Sequence, residues 1–433
     1  MRKQNKDVLI AGLMLFAMFL GAGNVIFPPY VGVQTGSRWL LAAVGFLVTG
    51  AGLPLIGILS VSKTGGEADG MCQRAWPVLG KILNVTILLM IGPLFAIPRT
   101  AATTCEMSVL PFLPVGVNTK IVFVVVSAIF FLLTYFLTRS SSEGLDKIGS
   151  ILSPLLIIFL FITIIISIVK PIGSPVNGKV TENLFYYGVI NGYQTMDGIG
   201  SIVMGGAVAF FIQKKGYNKE ETISMLPKSA LIAGILLGCV YLGYVWIGAS
   251  GSANLMNFTD RTQMLSHASY MVAGPFGKIL LALIIFFACL TTSSGLVITF
   301  SEYFAGLSKG KISRKNITLI AIIFSFVISL VGVEGIIKLS VPVLEIIYPL
   351  VVTLIILNLF TNQIKSDYAF RGAMIGVIIL LPAFALKYIP FTADFVNDLL
   401  SKCPLGKQGF AYIPFAVGGF IVGYIVDKIK KQK

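Results

Sequence analysis

The sequence predicts an all-α polytopic membrane protein of about twelve transmembrane helices. Three observations carry this reading. The 433 residues are 56% hydrophobic and only 12% charged, with a mean hydropathy of +0.90, whereas a soluble domain is typically about 25% charged. Apolar runs long enough to cross a hydrocarbon core of about 30 Å recur at 8–34, 39–62, 78–109, 119–138, 148–169, 184–212, 225–250, 268–304, 315–333, 339–361, 370–389 and 409–427. Finally, about two-thirds of the Lys and Arg residues fall in the segments that are cytoplasmic if the N-terminus is inside, the bias that orients membrane proteins. Both termini are therefore expected on the cytoplasmic side.

Composition also excludes function classes. A net charge of +15 would suit nucleic acid, but the basic residues lie between apolar runs rather than on one polar face, as topology signals do. The start, Met1–Asp7, is short and basic with no small-residue cleavage site after it, so the first run reads as a retained helix rather than a signal peptide. Cys72, Cys105, Cys239, Cys289 and Cys403 are scattered, with neither a disulfide framework nor metal-ligand spacing. The single histidine, His267, reads as a solvated loop residue. No nucleophile–base pair or metal cluster lies in any span, which argues against a membrane-embedded enzyme.

Span one should be an unbroken helix, yet it carries Gly21, Gly23, Asn24, Pro28 and Pro29. Glycine is about 1 kcal/mol and proline about 3 kcal/mol worse than alanine inside a helix. The span is expected to break over 21–29. Unwound backbone at bilayer depth is tolerated only where it is buried in protein or lines a cavity. The lower half-helix would leave carbonyls near Ala17 and Leu20 for a cation, and the upper half would present N–H groups to a carboxylate. A plain proline kink is the competing reading.

Span three holds Gly92-Pro-Leu-Phe-Ala-Ile-Pro-Arg-Thr-Ala-Ala102. Pro93 and Pro98 should distort it, and Phe95 and Ile97 are candidate pocket walls. Arg99 is ionisable deep in an apolar run. Asp197, Glu106 or a substrate carboxylate could face it, with a structural ion pair favoured. The second expected break is in span six, at Gly192-Tyr-Gln-Thr-Met-Asp-Gly-Ile-Gly200. It offers Tyr193, Thr195, Met196, Asp197 and Gly198. Asp197 costs at least roughly 2.5–3.5 kcal/mol at mid-bilayer. It should therefore meet a cation or substrate amine, or brace the unwound segment.

Span eight carries Ala288-Cys-Leu-Thr-Thr-Ser-Ser-Gly295. The Ala288 carbonyl and the Thr291 and Thr292 hydroxyls share one helix face and could ligate a hard monovalent cation, unless the hydroxyls merely bond back to the preceding turn. Phe286, a turn earlier, is a further candidate wall. Glu345, between Pro342 and Pro349 in span ten, could belong to a gate or a structural pair. Residues 389–408 should form an external loop between spans eleven and twelve.

The breaks lie five spans apart. Interruptions at matching positions in two halves point to a transporter binding site. The chain is accordingly one transmembrane domain over 1–433, with inverted repeats at about 8–169 and 184–361 and two peripheral helices over about 370–427.

The segments Gly21-Ala-Gly-Asn-Val-Ile-Phe-Pro-Pro29, Gly92 to Thr100, Gly192 to Asp197 and Ala288 to Leu296 together resemble the branched-chain amino acid:cation symporter family, the bacterial BrnQ-type carriers. That family has the LeuT-type fold with five-plus-five inverted repeats and broken helices one and six. The resemblance implies uptake of leucine, isoleucine and valine across the bacterial cytoplasmic membrane, coupled to Na⁺ or H⁺ with no other cofactor. It implies that the amides of Ala22 and Gly23, flanked by Gly21 and Asn24, take the substrate carboxylate. It likewise implies an Na⁺ site formed by Ala17, Leu20, Ala288, Thr291 and Thr292. Phe95, Ile97 and Phe286 would wall a pocket that cannot sharply separate valine from isoleucine, since one methylene is worth only about 1–3 kcal/mol. A carrier of another small neutral metabolite on the same fold is the alternative.

Overall fold

Helices make up almost all of the chain in the computed structural model, which describes residues 2–64, 68–114 and 116–432; Met1, at the basic start, lies outside these. Among the described residues, nine helices are long and apolar enough to span a membrane: Trp39–Lys63, Pro77–Phe112, Thr119–Thr138, Glu143–Val169, Lys219–Ser250, Arg261–Leu307, Val333–Leu359, Asp367–Leu386 and Tyr412–Gln432. Two bent pairs, Gln4–Phe19 with Ala22–Thr35 and Leu184–Tyr193 with Asp197–Lys214, bring the number to 11. The remaining expected span, 315–333, is the helix Arg314–Ser329, whose 16 residues rise about 24 Å. It falls short because Leu330 ends the helix and Gly332, at φ 83°, turns the chain into span ten.

Both expected breaks occur, and each is tighter than the sequence suggests. The halves of span one meet at 68°. Only Leu20 and Gly21 leave the helix, and the upper half begins at Ala22 and runs through Pro28 and Pro29. Proline's fixed φ is helical, so the pair costs hydrogen bonds rather than direction. The missing N–H groups fall opposite the Asn24 and Val25 carbonyls, one turn earlier. The halves of span six meet at 43°, and the gap is Gln194–Met196, with helix resuming at Asp197. Met196 sits at φ 68°, a left-handed conformation that is rare for a residue with a side chain and concentrated at functional sites.

Two further spans bend. Span three passes through a π-helical turn, Met90–Leu94, with non-helical Gly92 ahead of Pro93, and restarts at Ala96. Span eight kinks at Ala273 and Gly274, just before Pro275. His267 lies on the outer arm of that kinked helix, exposed and 5.3 Å from the Phe258 ring, not in a loop. The segment 389–408 likewise contains a helix, Ala393–Lys402, whose Val396 and Leu400 are buried.

The packing is that of a protein surrounded by lipid. Span four exposes Ile121, Val125, Ile129, Leu132 and Phe136, while Asn24, Arg99, Asp197, Thr291 and Thr292 are buried. Lipid gives no hydrophobic reason for helices to associate, so close backbone approach at small residues takes over. Spans one and seven meet this way: a Cβ on Gly248 would stand 1.9 Å from the Pro29 carbonyl oxygen, and one on Gly32 would stand 2.0 Å from that of Val245. That contact holds the upper half of span one against a straight helix.

Gly248→Val should therefore force spans one and seven apart. Overpacking of this kind costs about 1–3 kcal/mol, and the thermal midpoint of the purified variant should fall by several degrees. An unchanged midpoint would mean that this crossing does not hold the bundle.

Candidate binding site at the two helix breaks

The two breaks face each other. A Cβ on Gly23 would lie 3.4 Å from the Gln194 carbonyl and 3.0 Å from the Arg99 Nη2. Gly23 is thus the point where spans one, three and six converge, and its missing side chain permits that approach. A small cavity of about 20 Å³ lies among Gly21, Ala22, Asn24, Ile91, Ala96, Arg99, Thr195, Met196, Asp197, Met204, Thr292 and Leu296.

One buried network joins the breaks. Asp197 opens the upper part of span six, where the helix N-terminus favours a negative group. Its Oδ2 accepts from the Asn24 side-chain amide and from the Tyr241 hydroxyl, the latter at 3.0 Å. The Asn24 amide also donates to the Tyr241 oxygen, and its Oδ1 accepts the Gly21 N–H at 3.2 Å. Asn24 thereby braces its own break and ties it to the other. Thr195 donates to the Gly192 carbonyl at 2.9 Å and accepts the Asp197 N–H at 3.4 Å, closing the gap in span six.

Arg99 does not make the structural ion pair favoured from sequence. Asp197 is engaged by Asn24 and Tyr241, and Glu106 accepts the Val333 N–H at 3.0 Å at the start of span ten. Glu345, in contrast, does pair, with Lys387 of span eleven.

Beside the first break lies an oxygen cluster. The Thr291 hydroxyl is 3.0 Å from the Ala17 carbonyl and 3.0 Å from that of Ala288. The Thr292 hydroxyl is 3.1 Å from the carbonyls of Ala17 and Met18, and it packs against Gly21. Ala17, Ala288, Thr291 and Thr292 are therefore brought together as the sequence suggests. Met18 contributes the carbonyl beside them, whereas Leu20 sits at the break itself. Hydroxyls and carbonyls at this spacing suit a hard monovalent cation, which would convert these hydrogen bonds into ligation.

The expected apolar wall is redistributed. Phe95, Ile97 and Phe286 do not border the cavity: Ile97 is fully buried in the restarted helix of span three, and Phe286 packs edge-on against Phe287 at 5.4 Å. Ile91, Ala96, Met204 and Leu296 line it instead, with Met18, Phe19 and Met196. Met204 lies seven residues after Asp197 on the same helix face, a spacing that could have found it. Tyr241 carries no local signal at all. Gly198 packs on Leu53 and Tyr348. Tyr193 faces away from this cavity, its ring 4.4 Å from that of Tyr348, and its carbonyl accepts the Tyr348 hydroxyl at 2.6 Å.

These two tyrosines floor a larger cavity of about 340 Å³, roofed by Gly406–Tyr412 and flanked by the Glu345–Lys387 pair. On the opposite side, Lys215 pairs with Asp146 at 2.5 Å and Tyr217 donates to Asp7 at 2.8 Å. Partial burial and the Asp7 carboxylate push the Tyr217 hydroxyl up to about 12, so it remains a donor at neutral pH.

Two broken spans whose breaks meet in the bundle are the pattern of a membrane transporter. The profile of the family described as "Branched-chain amino acid transport protein" matches residues 4–430. The branched-chain amino acid permease BraB of Bacillus subtilis (strain 168) is 35% identical over 428 residues, covering 97% of this chain and 95% of its own. The permease BrnQ of the same organism is 33% identical, covering 97% and 96%. The chain belongs to this family and is a transporter, not an enzyme. Among solved structures, it is similar to Mhp1, a nucleobase-cation-symport-1 family transporter, in a closed conformation (TM-score 0.63, 12% identity, 96% of this chain and 91% of that one). MhsT in complex with L-phenylalanine gives a TM-score of 0.58 at 16% identity, over 96% and 97%. The fold is LeuT-type.

Tyr241→Phe removes one of the two hydroxyl and amide donors to a buried carboxylate. Loss of such a partner costs about 1–3 kcal/mol. The purified variant should unfold at a measurably lower temperature than wild type, and an equal midpoint would remove Tyr241 from the network.

Proposed function

We propose that this protein imports leucine, isoleucine and valine by alternating access, coupled to Na⁺ or H⁺, across the bacterial cytoplasmic membrane with both termini on the cytoplasmic side. The observation that carries the reading is the join between the two breaks. A helix N-terminus at Ala22 and Gly23 lies against the cavity shared with Asp197, one turn from the oxygen cluster of Ala17, Ala288, Thr291 and Thr292. The first suits a carboxylate and the last a cation. The names of the Bacillus relatives support the branched-chain substrate, as does a wall of Ile91, Met204 and Leu296. A charged or hydrogen-bonding side chain would lie unpaired against that wall.

A cavity of about 20 Å³ holds about one water, so admission of an amino acid requires the walls to part. Opening outward would separate Tyr193 from Tyr348, and opening inward would release Lys215 from Asp146 and Tyr217 from Asp7. The two halves, about 8–169 and 184–361, would rock about the fixed centre. A membrane potential of ~100 mV supplies about 2.3 kcal/mol per transported charge, so one coupled cation sustains roughly 50-fold accumulation.

The test is uptake of labelled isoleucine by the protein in liposomes, under an imposed Na⁺ gradient and separately under an H⁺ gradient. Saturable uptake driven by either supports symport, and uptake by neither refutes it. If Na⁺ drives it, Thr292→Ala should raise the Na⁺ concentration for half-maximal uptake about tenfold, in line with the loss of one ligand worth roughly 1.5 kcal/mol. An unchanged value would take Thr292 out of the cation site.

A further inference from the structure

Arg99 is 5% exposed and borders the same cavity as Ala22 and Asp197. Its carbonyl accepts the Thr103 hydroxyl at 2.8 Å, yet its guanidinium makes no hydrogen bond or ion pair among the described residues. The two acids that sequence offered it, Asp197 and Glu106, are bonded to other donors. A buried guanidinium that no acceptor satisfies is costly, and proteins place one where a ligand will answer it.

The position of the guanidinium says which ligand. Its Nη2 would lie 3.0 Å from a Cβ on Gly23, so it sits on the first turn of the upper half of span one. The N–H groups of Ala22 and Gly23 in that turn have no intrahelical acceptor. A helix N-terminus and a planar fork of donors converge on one point, and the group that satisfies both is a carboxylate.

We propose that Arg99 binds the α-carboxylate of the transported amino acid and makes that carboxylate obligatory for recognition. This rests on the transport reading above. Asp197 borders the same cavity, so the site presents a guanidinium and a carboxyl group to a zwitterion. Lysine would keep the charge at position 99 but not the fork.

The experiment compares binding of isoleucine and isoleucinamide, which has the same side chain and no carboxylate, to the purified full-length protein by displacement of labelled isoleucine. Wild type should prefer isoleucine by at least about tenfold, as expected for a charge-assisted contact. In Arg99→Gln, isoleucine should weaken by about that factor and isoleucinamide should not, so the preference collapses toward one. A preference retained in Arg99→Gln, or absent from wild type, overturns the assignment. Should Arg99→Gln fail to fold, Arg99→Lys gives the same answer: isoleucine weakened several-fold with isoleucinamide unchanged supports it, and equal weakening of both overturns it. Wild type that binds no branched-chain amino acid overturns the transport reading and this assignment together.

Discussion

The carboxylate of Asp197, buried among spans one, six and seven and held by one amide and one phenol, is the constraint on which the centre of this molecule depends. Inside a membrane an unwound segment strands N–H and C=O groups that water cannot reach, each at a cost of several kcal/mol. Two such segments persist here because each satisfies part of the other. Asn24 gives its oxygen to Gly21 and its amide to Asp197, so one side chain closes the break in its own span and latches the break in another. Tyr241 then completes the shell of Asp197 from a third span. Satisfied fully, such a network fixes one geometry; with a partner removed, it leaves a charge exposed to a low-dielectric interior.

Close helix crossings make this geometry reachable. Gly32 and Gly248 let spans one and seven approach until backbone meets backbone, which brings Tyr241 within reach of Asp197. The same economy appears at Gly23, where a missing side chain admits Arg99 and Gln194. The structure is tight at its centre and flanked by a few contacts: tyrosine on tyrosine on one side, one ion pair and one phenol–carboxylate bond on the other. The part-exposed Lys215–Asp146 pair is worth at most about 1 kcal/mol. The alternating access proposed above would break these contacts in turn.

Much of this was legible in the sequence because lipid imposes simple rules. Spans follow from apolar length, and breaks follow from glycine and proline where neither belongs. Asp197 and Thr291–Thr292 were conspicuous because polar groups at that depth need a reason. The break limits were less legible: Pro28 and Pro29 look like helix ends, but their φ suits a helix, and the gap closes at Ala22 instead. The apolar walls were legible only at Met196. Phe95, Ile97 and Phe286 are the obvious bulky neighbours of the motifs, but the turn at Gly92 and Pro93 rotates span three so that Ile91 and Ala96 face inward. Tyr241 lies in an ordinary apolar run, and only the fold places its hydroxyl at the break. The partner of Arg99 was not legible either: a structural ion pair was the favoured reading, but the fold gives Asp197 and Glu106 to other donors.

The central claim is that the ligand is held where the two breaks meet. A structure of the protein bound to isoleucine tests it most directly. Ligand density between residues 21–24 of span one and 195–197 of span six, with the central cavity widened around it, is the predicted result. Density confined to the outer cavity above Tyr193 and Tyr348, with the centre unchanged, would contradict it.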